Sequence, residues 1–203
     1  SVVQRIINCV PGSTDSTYFS LLFQSNDQLS LGLWNGSLTT TQVFRDPSAW
    51  YHIVMSADTT QATAANRFHI YVNGSEISYQ VDNRSTTTTQ NSSFAYLNKS
   101  SNIQSIGRSY YYGYYWDGYM TEINMIDGQQ LDSSYFGQTN AITGVWEPKA
   151  YTGTYGTNGY HLEFKDTTIG KDTSGNNNHW TSNNFSTAND YTYDLSYDVP
   201  TQW

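Results

Sequence analysis

Six aromatic side chains in seven positions, Tyr110-Tyr111-Tyr112-Gly113-Tyr114-Tyr115-Trp116, are the residues of this sequence best suited to chemistry at a surface. A ring offers flat apolar area at low conformational-entropy cost, and a phenol or indole adds one polar handle, a combination that stacks on sugars or seats against another protein. Six such rings cannot all enter a core from an element whose side chains alternate in direction. Three uses fit the run: contact with glycans, contact between subunits, and filling the end of a core. Trp34, followed by Asn35-Gly36, and Trp180, preceded by three asparagines, are weaker candidates for the same work.

Catalytic groupings are thin by comparison. The sequence has no Gly-x-Ser-x-Gly elbow, no His-Glu-x-x-His helix, no cysteine cluster and no phosphate-cradling glycine loop. A glycosidase needs two carboxylates facing one cleft. Only Glu122 and Glu163 fall in strand-like segments, and neither lies in a Glu-x-Asp-x-Glu pattern. The chain therefore reads as a non-enzyme. His52, His69, His161 and His179 are scattered without ligand spacing, which makes each a hydrogen-bonded structural residue. Cys9 is alone, so no intrachain disulfide forms and its thiol is expected in the interior. No metal or other cofactor is assigned.

Composition narrows the partners. A length of 203 residues suits one sandwich-type domain, and charged residues supply only 13% of the chain, against about 25% in ordinary globular proteins. With 24 Ser and 25 Thr, solubility rests on hydroxyls and amides. A net charge of -8 and nine scattered Lys and Arg argue against a protein that tracks phosphates, so nucleic acid is not an expected partner. No apolar run approaches the roughly 18 residues of a membrane span, and membrane insertion is not expected.

The elements that must position these residues are strands. Phe68, Ile70 and Val72 alternate with Arg67, His69 and Tyr71; Asn73-Gly74 then supplies the two positive φ angles of a tight hairpin turn. Beyond it Ile77, Tyr79 and Val81 alternate with Glu76, Ser78 and Gln80, which predicts a second arm with the same buried face. Further strands are expected over 18–23, 29–33, 37–44, beginning at Trp50, over 103–108, 119–126 and from Tyr160. The stretch 83–90 reads as an exposed loop or edge, and Asp132 caps a single helical turn. No segment keeps helical periodicity over 11 residues, so the fold class is all-β.

Trp50 with His52 opening a strand, Tyr71-Val72-Asn73-Gly74 closing a hairpin, Ile106-Gly107 ending another strand, and Asp117-Gly118 leading into Met120, Glu122 and Gln130-Leu131 occur here in a characteristic order. In that order they resemble the laminin G-like, concanavalin A-like jelly-roll domains, in the version found in structural proteins of marine tailed phages. The resemblance implies an antiparallel jelly-roll β-sandwich over residues 1–149, with 150–203 as a C-terminal extension. Some members of the family hold calcium at the sandwich rim, where Asp58 or Asp117 would serve here; a turn-stabilising role is the simpler use of both.

Residues 172–180 look like the strand and turn with which such domains usually begin, while the N-terminus enters at what looks like the second strand. Either the segment from Tyr160 folds back and completes the sandwich in permuted order, or it docks on a neighbour, or the chain is a piece of a longer one. The reading that follows is a non-enzymatic structural module of a virion surface, a phage fibre, knob or decoration protein, located extracellularly on the particle. Its expected partners are other virion subunits or itself as a homo-oligomer, and cell-surface glycans. A free-standing carbohydrate-binding lectin or adhesin domain is the alternative.

Overall fold

The computed structural model describes residues 2–12, 18–33, 35–93, 96–165 and 168–185. They belong to two compact units, Ser1–Asp117 and Gly118–Trp203.

In the first unit the strands are β1 (Gln4–Val10), β2 (Phe19–Phe23), β3 (Gln28–Leu33), β4 (Gly36–Val43), β5 (Ile53–Ala57), β6 (Phe68–Val72), β7 (Ser75–Glu76), β8 (Tyr79–Asp82) and β9 (Ile103–Ile106). Six of them form an antiparallel sheet in the order β8-β4-β3-β2-β1-β9, and β5-β6-β7 form a second. The faces that meet are those the alternation marks. Phe19 and Leu21 from β2, Leu29, Leu31 and Leu33 from β3, and Leu38 from β4 share one buried cluster with Phe68, Ile70 and Val72 of β6. Leu29, Leu31, Leu38 and Ile70 have no exposed area at all, and full burial of such a side chain contributes roughly 1.5–3 kcal/mol. This is an all-β, antiparallel sandwich of the jelly-roll kind.

Two departures from the expected pattern matter. The Asn73-Gly74 turn forms as expected, with φ of 48° and 84°, but its second arm pairs for only two residues, Tyr71 with Glu76 and Val72 with Ser75. The chain then leaves the small sheet. Tyr79–Asp82 instead lines the edge of the six-stranded sheet beside β4, and Val81, expected in the core, is 38% exposed. The crossing is pinned at both ends: Ile77 donates its N–H to Ile70 O at 3.1 Å, and the Ile70 N–H donates to the Tyr79 hydroxyl at 2.8 Å. Burial pushes that phenol up to about 12.

The second departure is β1, whose residues show no clean alternation. A register shift between Arg5 and Ile7 is the mark of a β-bulge, which turns one extra side chain out of phase. Arg5 and Asn8 therefore share the face opposite the core, Arg5 across from Leu22 and Asn8 across from Ser20, although three positions separate them. The strand lies inside the sheet, between β2 and β9. The stretch 83–90 also differs from an open loop. It contains a single helical turn, Arg84–Thr87. The buried Arg84 guanidinium anchors it by donating to both oxygens of Asp82 and to the Phe68 carbonyl.

The second unit holds β10 (Ile123–Met125), β11 (Gly137–Thr139), β12 (Trp146–Pro148) and β13 (Tyr160–Leu162). β10 pairs with β13 and β11 with β12, both antiparallel, so the strand at Tyr160 finds its partner within the chain. A strand over 119–126 is expected, yet only 123–125 are extended, because Glu122 adopts a φ of 54°, outside the strand region. Asp132 caps a 3-10 turn at Ser133–Tyr135 by accepting from the Ser134 N–H.

The switch of sheets after Glu76 is checked by denaturant unfolding. Ile70→Ala should cost about 2–5 kcal/mol, whereas Val81→Ser should change stability by no more than about 0.5 kcal/mol. A large loss at Val81 would place that residue back in the core.

Candidate binding site

The aromatic run is a closed loop rather than a loose one. After β9, Gly107 takes a φ of 74° and the chain returns on itself: Arg108 bridges Tyr115, Ser109 donates its N–H to Tyr114 O at 2.7 Å, and Trp116 donates to Gly107 O at 2.8 Å. Gly113, at φ 61°, makes the bend at the tip. The Ser109 hydroxyl accepts the Tyr112 N–H, and Asn8 Oδ1 accepts the Tyr110 N–H at 3.4 Å. The loop is thus tied to β1.

On this frame Tyr110, Tyr111, Tyr112, Tyr114 and Tyr115 are all exposed, from 37% at Tyr114 to 61% at Tyr115. Tyr110 and Tyr111 meet edge to face at 4.9 Å, and Tyr112 and Tyr114 lie tilted at 5.7 Å. Arg108 sits 5.2 Å over the Tyr110 ring. Trp116 behaves differently from the five tyrosines: it is half-buried, tilted on Phe23 at 5.9 Å, and its indole N–H is enclosed without an acceptor. Phe23 in turn meets Phe44, and Phe44 meets Tyr51, so Trp116 roots the loop in the sandwich. Trp34 lies outside the described residues. Trp180 belongs to the second unit, where it is half-buried edge-on to Tyr160 at 5.2 Å.

Sequence reasoning missed the residues beneath the loop. Arg5 is only 5% exposed and Asn8 not at all. The Arg5 Nε and Nη1 and the Asn8 Nδ2 are buried donors with no acceptor. The guanidinium instead lies 5.3 Å from the Tyr18 ring and 5.8 Å from the Tyr114 ring. Gly32 makes room for this: a Cβ there would stand 2.6 Å from the Tyr18 ring. The other two buried arginines are fully provided for. Arg67 donates to the carbonyls of Gln61, Ala62 and Thr88, and Arg84 to Asp82 and to backbone carbonyls. An uncompensated buried cation costs several kcal/mol in general, so Arg5 is the anomaly among the three. No periodicity points to it, because the bulge hides its face.

The second unit has its own polar cluster. His161 Nε2 lies 2.6 Å from Glu122 Oε2, and His161 Nδ1 lies 2.9 Å from the Thr173 hydroxyl. Tyr155 stacks on the imidazole and donates to Asn124 Oδ1 at 2.7 Å. Burial, reinforced by Glu122, pushes its phenol up to about 12. Asp172 accepts the backbone N–H of His161, Ser174 and Asn178. Burial acts to raise its carboxyl, but these bonds outweigh it and hold the group below its ordinary value. Glu122 and Glu163 do not serve each other: Glu122 is engaged by His161, and Glu163 by Lys165 at 3.5 Å.

Several other titratable groups are engaged locally or buried. His69 pairs with Glu76 at 2.6 Å, and burial lowers His52. His179 Nδ1 accepts the Asp172 N–H. Cys9 is buried, and burial pushes its thiol up to about 12. Asp58 spends both carboxylate oxygens on Thr60 and Gln61 of its own turn. Among the described residues no three of His, Cys, Asp and Glu come together as a metal-holding group.

Residues 2–131 match the family described as the concanavalin A-like lectin/glucanases superfamily, of the laminin G type. No curated protein and no solved structure matches closely enough to count as a relative.

Two measurements check these contacts. Asn8→Ala should speed amide exchange at Tyr110 by up to about tenfold, as expected for one lost hydrogen bond of about 1 kcal/mol; unchanged exchange would show that Asn8 does not hold the loop. Asp172, whose carboxyl is depressed when folded, stabilises its loop above its unfolded value near 3.8 and loses that contribution as pH falls through the folded value. Protection of the Ser174 and Asn178 amides, taken relative to their intrinsic exchange rates at each pH, should therefore fall in acid, and Asp172→Asn should abolish that change.

Proposed function

The chain belongs to the concanavalin A-like lectin/glucanases superfamily, and from that premise we propose that it is a non-enzymatic binding module whose working surface is the tyrosine loop after β9. One observation carries the reading: five tyrosine rings, each more than a third exposed, stand on a loop closed by backbone hydrogen bonds. Rings held in place lose little entropy on contact, which is what a recognition surface needs.

The finer reading is a structural component of a virus particle, of the tailed-phage fibre, knob or decoration type, displayed on the virion surface. The order of short motifs from Trp50 to Leu131 supports it, as does a surface that relies on hydroxyls and amides rather than charge. In that role the loop meets neighbouring subunits or a second copy of the chain. A lectin or adhesin is the second reading, favoured by phenol rings beside two arginines, Arg5 and Arg108, an arrangement that suits polar rings as well as protein.

Light-scattering mass and a glycan array separate the two. For the virion role the protein should be a stable oligomer without sugar affinity, and Tyr110, Tyr112 and Tyr115 changed together to Ser should yield a folded monomer. For the lectin role the wild type should bind sugars, and the same variant should lose that binding at least tenfold. A monomer without glycan binding, or a triple variant that behaves as the wild type, would refute the loop as the working surface.

A further inference from the structure

We propose that the tip of the β11–β12 ribbon, residues 140–145, seats on the tyrosine loop of a second copy of this chain, with Ile142 as the anchor. The proposal rests on the tyrosine loop being a surface for subunit contact, and it names the surface that the loop meets.

Ile142 is 96% exposed, more than any other large apolar residue described, and Val145 at the far end of the same loop is 60% exposed. Such exposure would mean little on a loose loop, but this one is closed. Asn140 donates its N–H to Val145 O at 2.8 Å, and Gly144 donates to Asn140 O at 2.9 Å. Asn140 Oδ1 accepts the N–H of both Ile142 and Thr143, its Nδ2 donates to Glu147 Oε1, and the Thr143 hydroxyl accepts the Val145 N–H. Gly144, at φ 70°, completes the reversal. Below the tip, Trp146 lies against Gly137, where a Cβ would collide with its ring. Ile142 is therefore held out by the backbone. A stiff β-branched side chain in that position loses little entropy when a partner covers it, and it gains nearly all of its burial in the contact.

Charge selects a second copy, and the tyrosine loop on it, as the receiving surface. Residues 137–148 hold Glu147 and no Lys or Arg, while residues 103–116 hold Arg108 and no Asp or Glu. The same asymmetry runs through the two units: Gly118–Trp203 carries ten Asp and Glu against three Lys, and Ser1–Asp117 carries seven against six Lys and Arg. Tip against tip would bring two acidic units together, whereas tip against loop brings an acidic unit to a nearly neutral one with a cation at the contact. Tyr110 with Tyr111 and Tyr112 with Tyr114 form two ring pairs, which offer apolar faces to an aliphatic side chain and hydroxyls to the backbone around it. Contact between two different surfaces of one chain is heterologous, so it repeats from copy to copy until a ring closes.

The test mixes two variants, each read by light-scattering mass. Ile142→Glu disables the tip; Tyr110, Tyr112 and Tyr115 changed together to Ser disable the loop. Each alone should be a monomer where the wild type assembles, its association weakened more than about tenfold, as for loss of an interface anchor. Mixed in equal amounts they should form a heterodimer and nothing larger, because one supplies an intact loop and the other an intact tip. Ile142→Leu should assemble as the wild type does. Ile142→Glu should melt at the wild-type temperature, since the side chain covers almost nothing of its own chain. An Ile142→Glu protein that assembles as the wild type does, while the loop variant is monomeric, would overturn the tip and leave the loop as the working surface. Two monomeric variants that fail to pair on mixing would overturn the tip-to-loop contact in the same way. A wild type that stays monomeric at every concentration yet binds glycans would overturn the self-contact alone. A monomer that binds none would overturn this inference and the working surface together.

Discussion

Burial of one face of each of two antiparallel sheets is the constraint on which the first unit depends. Leu29, Leu31 and Leu38 on the large sheet and Ile70 on the small one are wholly enclosed, and with a single cysteine in the chain no intrachain disulfide takes their place. Period-two alternation follows from that burial, since every second residue must be apolar. The constraint also explains why loops can be extravagant. With the sheets locked by their inner faces, six aromatic residues can be spent on one connection without risk to the fold.

Legibility in the sequence tracks this constraint closely. Strands whose inner face is purely apolar, such as Phe19, Leu21 and Phe23 or Phe68, Ile70 and Val72, are visible from their pattern alone. The Asn73-Gly74 turn is equally visible, because its dipeptide has few other uses. Which sheet a strand joins is not visible. Ile77, Tyr79 and Val81 alternate as a hairpin arm should, yet Ile77 still bonds to Ile70 while Tyr79 and Val81 pair with β4 instead. Alternation records that a face is buried and says nothing about what buries it. Positions with unusual backbone are hidden for a related reason: Glu122 at φ 54° cuts short a strand whose residue types suit extension, and the contact with His161 comes from 39 positions away.

The candidate site divides along the same line. The tyrosine loop announces itself by composition, since no core could absorb it. Its foundation does not. Arg5 and Asn8 sit three apart, a spacing that means nothing in a regular strand and becomes same-facing only through the register shift between Arg5 and Ile7. Trp116 shows the converse limit, for it shares the run's composition yet anchors the loop to Phe23 instead of standing with the tyrosines.

The three buried arginines show why the polar interior is informative about function. Arg67 and Arg84 close local structure, tying chain segments together through backbone carbonyls. Each is a structural answer to a structural need, with donors matched to acceptors. Arg5 ties nothing. Its contacts are the faces of Tyr18 and Tyr114, which attract a cation through the ring quadrupole but accept none of its directional N–H bonds in the plane of the guanidinium. Ring attraction at these distances contributes of order 1 kcal/mol, less than the cost of an enclosed charge. Packing alone would favour an apolar residue there. Its charge is answered by ring faces beneath the tyrosine loop rather than by acceptors, which sets it apart from Arg67 and Arg84.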